Sequence, residues 1–223
     1  MIRPALGVLR KDLKLDLASP GRLAAVVLFS VVTLLLFSFA VGPDTSSLQR
    51  NTAGYLWLAL TLSSTLALGE SFRLEVEDDA LEGLLLLPVP PAAIFYGKAT
   101  ANLLFLLALA ALLVPLSFGL YGASVRGSFL ELAVIIALGT AGLAGPGTLY
   151  SAMTARARGS DVMLPLLLFP LVIPVLIASV KATSLVLLGD PMGDRGAWFA
   201  LVGCFDLVYW TLCGLLFGKV VDA

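Results

Sequence analysis

Long apolar segments without charge constrain the fold of this 223-residue chain more than any other feature. Residues 51–69, 99–125, 132–155 and 162–180 contain no charged residue. Two further apolar segments, 22–42 and 196–218, each carry one charge. A helix needs about 20 apolar residues to cross the hydrocarbon core of a bilayer, and the mean hydropathy of the chain is +1.00. The sequence therefore predicts an all-α polytopic membrane protein with six transmembrane helices.

The six predicted spans belong to one transmembrane domain that covers residues 1–223. Their approximate bounds are 22–42, 51–70, 99–121, 131–154, 162–180 and 197–218. The first span begins beyond residue 20, lacks a small-residue cleavage site and leads into further spans, so we do not expect a cleaved signal peptide.

The basic residues divide unequally between the two predicted sides of the membrane. With the N-terminus inside, the inner segments hold ten of them: Arg3, Arg10, Lys11, Lys14, Arg22, Arg73, Lys98, Arg156, Arg158 and Lys219. The outer segments hold four: Arg50, Arg126, Lys181 and Arg195. The positive-inside rule then predicts that both termini are cytoplasmic. The net charge of −1 argues against general binding of nucleic acid.

The first 21 residues read as an amphipathic helix followed by a break. Within residues 5–18, four leucines form one stripe along the helix: Leu6, Leu9, Leu13 and Leu17. Three basic residues lie off this stripe: Arg10, Lys11 and Lys14. Such a helix suits the surface of the inner leaflet. Ser19-Pro20-Gly21 should break it before the first span. A cytoplasmic extension of that span is the alternative.

Turn and proline signals predict the local structure around the later spans. Gly42-Pro43-Asp44 should open a short outer loop that reaches about Arg50, and Ser128 with Glu131 should form a capping box. Pro146 should kink the fourth span. The fifth span contains Pro165, Pro170 and Pro174 and should be bent or locally unwound. Residues 181–196 are expected to form the longest outer segment.

A charged segment between the second and third predicted spans is the strongest candidate for a functional site. Five acids fall within eight residues, and a leucine run and a proline follow them. We interpret residues 73–98 as a cytoplasmic loop whose amphipathic helix docks on a soluble partner; an ordinary solvated loop is the alternative. The candidate coupling residues are Glu70, Arg73, Glu75, Glu77, Asp78, Asp79, Glu82, Leu84, Leu85 and Pro88. Glu70 is expected to be hydrated and paired with Arg73, and Lys98 to lie at the cytoplasmic surface.

The sequence lacks the motifs of nucleotide hydrolysis, metal binding and redox catalysis, and it has no histidine. We therefore predict a non-catalytic chain that binds no metal and no cofactor of its own. Asp206 is the one ionisable residue in the middle of a span. We expect it to be structural, either neutral or hydrogen-bonded to a neighbouring hydroxyl, and a role in proton relay or catalysis is the less favoured alternative.

Several motifs together resemble a known family. The segment Leu81-Glu82, Leu84–Leu87, Pro88 and Gly97-Lys98 is similar to the cytoplasmic loop of ABC-2-type permeases. Four further stretches resemble the CcmB family more specifically, and they are Phe37–Asp44, Gly69–Arg73, Leu138–Gly142 and Leu164–Pro174. That family supplies a membrane subunit of the ABC-type complex in cytochrome c maturation, often called the haem exporter.

The resemblance implies an ABC-2-type exporter fold in the bacterial inner membrane. It also implies a separate CcmA-like ATPase that binds ATP and Mg, haem-handling CcmC-like and small CcmD-like membrane subunits, and a second copy of the chain. The implied function is coupling of ATP hydrolysis to haem delivery or export, or to release of the haem chaperone. The alternative is an ABC-2-type export channel for another amphipathic substrate. No haem-binding residue is predicted, because histidine is the commonest haem ligand and apolar packing is the expected role of Met153, Met163, Tyr150 and Cys204.

Overall fold

The computed structural model describes residues 2–77, 89–155 and 160–221, and all the regular secondary structure in those ranges is helical. Seven helices follow one another: α1 (Ile2–Ala18), α2 (Pro20–Val41), α3 (Thr45–Glu77), α4 (Pro91–Tyr121), α5 (Phe129–Thr154), α6 (Ser160–Leu188) and α7 (Arg195–Val221). The all-α class predicted from the sequence is therefore confirmed for the described residues.

Five helices in the described ranges are long and apolar enough to cross a membrane, namely α2, α4, α5, α6 and α7. The second predicted span lies within α3, which is not among the five. Hydroxyl-bearing side chains lower the hydropathy of its central part, and they are Thr61, Ser63, Ser64 and Thr65. The total of six spans therefore stays a prediction.

The polar groups of α3 are satisfied inside the bundle. Ser30 Oγ on α2 donates to Ser63 Oγ at 2.6 Å, and Thr61 Oγ1 donates to the carbonyl of Trp57 at 2.7 Å. The helix contacts α2, α4, α5 and α6. Hydrogen-bonded hydroxyls of this kind are compatible with the interior of a helix bundle in lipid.

Helix α5 lies at the centre of the bundle and contacts α3, α4, α6 and α7. Its small residues allow large side chains to approach its backbone. A Cβ atom at Gly139 would collide with the ring of Trp57, and one at Gly145 would lie 2.9 Å from Trp210 Cδ1. Trp57 Nε1 in turn donates to Thr183 Oγ1 on α6 at 2.9 Å, so α3, α5 and α6 pack as one unit.

Contacts between the short connections show that successive helices run in opposite directions. Gln49 Nε2, near the start of α3, donates to the carbonyl of Gly122 after the end of α4. At the same end, Gly127 N donates to the carbonyl of Val186, and Arg195 Nη1 lies 2.6 Å from Glu131 Oε2. The opposite end, where α1 lies, is called the α1 end below.

Two local predictions near helix starts are confirmed. The helix over residues 5–18 is present as α1, and the chain breaks at Ser19 before α2 begins at Pro20. Ser128 and Glu131 form the predicted capping box at the start of α5. The position of α1 on a membrane surface stays a prediction.

Two predicted boundaries are wrong, and one of two alternatives for the fifth span is excluded. The outer loop to about Arg50 is shorter, because Asp44 accepts the backbone N–H groups of Ser46 and Ser47 and α3 begins at Thr45. Helix α6 is unbroken through its three prolines, so of the two predicted alternatives local unwinding is wrong, and a bend stays a prediction. It also continues to Leu188, so residues 181–196 are mostly helical and do not form the longest loop.

Candidate functional site

The predicted coupling segment lies only partly within the described residues. Glu70 is half-buried on α3, and it lines a cleft of about 310 Å³ together with Arg22 of α2. The backbone of Arg73, Glu75 and Glu77 continues α3 to its end. The other candidate coupling residues lie outside the described residues: Asp78, Asp79, Glu82, Leu84, Leu85 and Pro88. A docking helix here stays a prediction.

The chain on both sides of that segment converges on Lys98. Its Nζ atom lies 3.1 Å from Asp12 Oδ2 on α1, donates to the carbonyl of Ser71 on α3 at 2.9 Å, and stands 4.4 Å from the centre of the Phe72 ring. Lys98 is fully buried. Its ammonium group is therefore not exposed to water, as a side chain that extends to the membrane surface would be, because a carboxylate from α1 compensates the charge inside the bundle. Its position at the cytoplasmic side of the membrane stays a prediction.

Gly97 explains how α1 comes close enough to supply that carboxylate. A Cβ atom at this position would lie 2.7 Å from the carbonyl oxygen of Ala5 and 2.8 Å from Val8 Cβ. Only a glycine leaves room for the backbone of α1 at this distance. The Gly97-Lys98 pair therefore has two functions at one contact: the glycine permits the approach of α1, and the lysine binds Asp12.

A polar network extends from this contact into the bundle. The side-chain amide of Asn102 donates to Ser71 Oγ at 3.1 Å and to Thr148 Oγ1 at 2.9 Å. Ser151 Oγ on α5 donates to the carbonyl of Leu68 on α3 at 2.6 Å. These bonds connect α3, α4 and α5 one to two turns from Lys98.

A small polar cavity of about 30 Å³ adjoins Lys98 and reaches toward α2. Its polar lining comes from Asp12, Asp16, Arg22, Ser71, Lys98 and Asn102. Arg22 forms an ion pair with Asp16, which gives α1 a second contact with the membrane helices. The cavity is large enough for about two water molecules, so it is too small to be a binding site for a large ligand.

At the α1 end, an aromatic cluster packs α7 against α3 and α4. The Phe217 ring packs against the rings of Phe72 and Phe95, with centroids 5.9 and 5.6 Å apart. Tyr96 stacks on Trp210 of α7 at 6.4 Å, and Trp210 Nε1 donates to the carbonyl of Ala141 on α5 at 2.9 Å. A continuous set of contacts thus runs from the start of α4 through α7 to the middle of α5.

Asp206 lies away from this end, one helical turn before Trp210 on α7. It is buried, and its Oδ1 lies against the backbone of Gly142. Neither carboxylate oxygen has a hydrogen-bond partner among the described residues. The predicted hydrogen bond to a neighbouring hydroxyl is therefore not formed within those residues.

The described residues contain no group of three or more His, Cys, Asp or Glu side chains that could hold a metal ion. Of the side chains weighed as haem ligands, Met153, Met163 and Cys204 lie on exposed faces of their helices, and Tyr150 is half-buried. They are distributed over three helices: Met153 and Tyr150 are on α5, Met163 is on α6 and Cys204 is on α7.

The helices and the contacts at the α1 end define a class: a multi-pass all-α membrane protein whose N-terminal amphipathic helix is bound to the bundle through a buried ion pair. The chain belongs to the CcmB protein family, whose model matches residues 3–222.

Relatives in that family match most of this chain. It is 32% identical to heme exporter protein B of Pseudomonas aeruginosa over 193 aligned residues, and this alignment covers 86% of each of the two chains. The protein of the same name from Rhodobacter capsulatus is 33% identical over 170 residues, with 76% of this chain and 78% of the relative covered. That of Haemophilus influenzae is 29% identical over 220 residues, with 95% and 96% covered.

Proposed function

We propose that this chain is the membrane subunit of an ABC-type haem exporter complex that acts in cytochrome c maturation. The observation that carries this proposal is the match to the CcmB family over residues 3–222, together with relatives that are named heme exporter protein B. The chain itself is non-catalytic. It works beside a CcmA-like ATPase, which binds ATP and Mg, and beside CcmC-like and CcmD-like membrane subunits that handle haem.

In this proposal the chain crosses the bacterial inner membrane six times, with α3 as the second span and both termini in the cytoplasm. The α1 end is then the cytoplasmic end, and α1 lies on the inner leaflet. The ten-to-four division of basic residues supports this orientation. Two copies pair, because an ABC ATPase works as a dimer and each half needs a docking surface. Nucleic acid has no part in the complex.

The proposed role is to convert ATP-driven movement of the partner into rearrangement of the haem-delivery complex. The acid-rich segment within residues 73–98 docks on the ATPase and acts as the coupling helix of an ABC-2-type exporter. The contacts around Lys98 support this role, because the helices that enter and leave the segment meet there. A displacement of α4 at Lys98 changes its contact with α1 directly, and a displacement of α3 at Ser71 changes a hydrogen bond of the same lysine.

The aromatic contacts extend the proposed coupling into the membrane. Phe95 and Tyr96, in the first two turns of α4, contact Phe217 and Trp210 of α7. Trp210 in turn donates to the α5 backbone at Ala141, five residues before Pro146 of the same helix. Helices bent by proline offer two discrete arrangements that a docked ATPase can bias.

Charge reversal in the coupling segment tests the docking step. We expect the triple substitution Glu77→Lys, Asp78→Lys and Glu82→Lys to reduce co-purification of the ATPase at least tenfold while membrane insertion is unchanged. Asp194→Lys, an exposed acid at the other end of the bundle, is the matched control and should leave co-purification intact. Normal co-purification with ATP-dependent haem delivery in the triple variant would disprove the docking role.

A haem titration distinguishes a chain that couples ATP hydrolysis to haem delivery from a chain that itself carries haem. We expect the purified chain alone to hydrolyse no ATP and to bind no stoichiometric haem, and the assembled complex to bind haem equally well with and without this subunit. Stoichiometric haem binding by the isolated chain would favour the alternative, in which the chain is an export channel for haem or another amphipathic substrate.

A further inference from the structure

The carboxyl group of Asp206 poses an energetic problem that the proposed coupling role does not address. Asp206 is only 9% exposed, and both its oxygens lack a hydrogen-bond partner among the described residues. An ionised carboxylate without a partner is very costly in an apolar medium. Within the described bundle, the favourable state of Asp206 is therefore a neutral carboxylic acid whose O–H donates a hydrogen bond to an acceptor.

Pro146 creates an acceptor at the same level of the bundle. In an α-helix the carbonyl of residue 142 accepts the N–H of residue 146. Proline has no N–H, and its ring also pushes the carbonyl four residues earlier away from the helix axis. Gly142 is buried, so its carbonyl needs a donor from another helix.

Asp206 is in contact with that part of α5. A Cβ atom at Gly142 would lie 2.9 Å from Asp206 Oδ1, so the glycine is what allows the carboxyl group to reach the backbone. Val175 of α6 lies against the same face, and its Cγ2, which would lie 2.6 Å from that Cβ atom, offers no hydrogen bond.

Helix α7 already supplies one side-chain donor to the part of α5 that precedes Pro146. Trp210 Nε1 donates to the carbonyl of Ala141 at 2.9 Å, and its ring packs on Gly145. Residues 206 and 210 are four apart and share one face of α7. Two successive residues of α5, Ala141 and Gly142, are therefore contacted by side chains from two successive turns of α7.

We propose that Asp206 is protonated and that its O–H donates to the carbonyl of Gly142, which Pro146 leaves without a helical partner. Asp206 is then a positioning residue for the part of α5 that precedes Pro146, and it acts together with Trp210. Since both donors belong to α7, this part of α5 and the facing part of α7 move as one unit. This inference does not depend on what the complex transports.

A double-mutant cycle tests the hydrogen bond between Asp206 and the carbonyl of Gly142. Asp206→Leu removes the donor and should lower the melting temperature of the purified chain in lipid nanodiscs. Pro146→Ala restores the N–H that Gly142 needs, so the loss caused by Asp206→Leu should be at most half as large in that background. Equal losses in both backgrounds would overturn the proposal.

Two further substitutions control the cycle. Asp206→Asn keeps an N–H donor and should retain the melting temperature, the co-purification of the ATPase and the maturation of c-type cytochromes. Ser179→Ala removes another buried oxygen that has no partner among the described residues, and its effect should be the same in the natural chain and in the Pro146→Ala background. If Asp206→Asn is as unstable as Asp206→Leu, a donor role is contradicted.

Infrared spectroscopy tests the protonation directly and does not depend on the stability of the leucine variant. The difference spectrum between the natural chain and Asp206→Asn should contain the carbonyl band of one protonated carboxylic acid, lowered in frequency by a hydrogen bond. The band should move back up in Pro146→Ala, where Gly142 regains its helical donor. A carboxylate band in place of the acid band, or an acid band that Pro146→Ala does not move, would overturn the proposal.

Discussion

Lys98 and Asp12 are 86 residues apart in the sequence, yet their Nζ and Oδ2 atoms lie 3.1 Å apart with side chains only 2% and 12% exposed. This ion pair connects the amphipathic helix α1 to the first turns of α4. The carbonyl of Ser71 and the ring of Phe72 also contact the ammonium group. A buried pair of this kind matters most when one partner is removed, because the other charge is then uncompensated.

Replacement of Lys98 by methionine should therefore destabilise the protein. Removal of one partner of a buried pair costs about 3–5 kcal/mol, and we expect a value near the lower limit because Lys11 Nζ lies 3.6 Å from Asp12 Oδ1 and offsets part of the charge. The free energy of unfolding in mild detergent measures this, and limited proteolysis after Arg10 or Lys14 reports whether α1 has detached.

The double variant Lys98→Met, Asp12→Leu should recover most of the stability, because it removes both charges from the bundle. Lys14→Met, at an exposed position of α1, is the control and should change the unfolding free energy by less than about 0.5 kcal/mol. If the double variant is as unstable as Lys98→Met alone, the pair is not what couples α1 to α4.

Gly97→Ala should detach α1 without any change of charge. The added methyl group would lie 2.7 Å from the backbone carbonyl of Ala5, and a backbone atom can move away only if the whole helix shifts. We expect a loss of stability of about 1–3 kcal/mol, which is typical of overpacking. Thermal unfolding and the protease sensitivity of α1 give the measurement.

Gly54→Ala is the matched control, since nothing lies within 4 Å of a Cβ atom at that position of α3. Alanine is favoured over glycine inside a helix by roughly 0.5–1 kcal/mol, so this variant should be as stable as the natural chain or slightly more so. Equal stability of the Gly97 and Gly54 variants would contradict the close approach of α1.

Asp44 should make the stability of the α3 start depend on pH. Hydrogen bonds from the side chains of Ser47 and Ser46, and from their backbone N–H groups, lower the pKa of the Asp44 carboxyl to about 2. The ordinary pKa of aspartate is about 3.9. A carboxyl whose pKa is lower in the folded state stabilises the fold fully above the ordinary pKa, and this contribution is lost as pH falls from about 4 through about 2.

Comparison of the natural chain with Asp44→Ala checks this pH dependence. The difference in melting temperature between the two should be constant above a pH of about 5 and should shrink as the pH is lowered toward about 2. Asp194→Ala gives the background slope from another exposed acid at the same end of the bundle. A difference that is independent of pH would show that the charge of Asp44 does not stabilise the helix start.

The helices themselves were largely predictable from the sequence, because apolar length and turn residues determine them locally. The break at Ser19-Pro20 and the capping box of Ser128 and Glu131 are examples. The predicted end of a helix was wrong where a polar or charged residue was taken as the end of the apolar segment. Lys181 is exposed on α6, but Ala182 and Val186 beyond it still have a buried face to pack, so the helix continues.

The centre of the candidate site was not predictable in the same way. The acid-rich segment and Gly97-Lys98 are conspicuous in the sequence, but the burial of Lys98 depends on Asp12, which no local pattern connects to it. The position of Asp206 against Gly142 likewise requires the packing of α7 on α5. Such contacts between distant helices follow from tertiary packing, and hydropathy and residue spacing carry no information about them.

Haem transfer in sealed vesicles tests the proposed coupling mechanism most directly. The vesicles hold the complete complex, with ATP on the cytoplasmic side and with haem and the periplasmic acceptor only on the outer side. If this chain transmits ATP-driven movement, haem delivery should reach completion with no haem inside, and it should stop in the Glu77, Asp78 and Glu82 charge-reversal variant. A requirement for haem on the cytoplasmic side, together with inhibition by bulky substitutions along a path between the helices, would show instead that the chain is a conduit for haem.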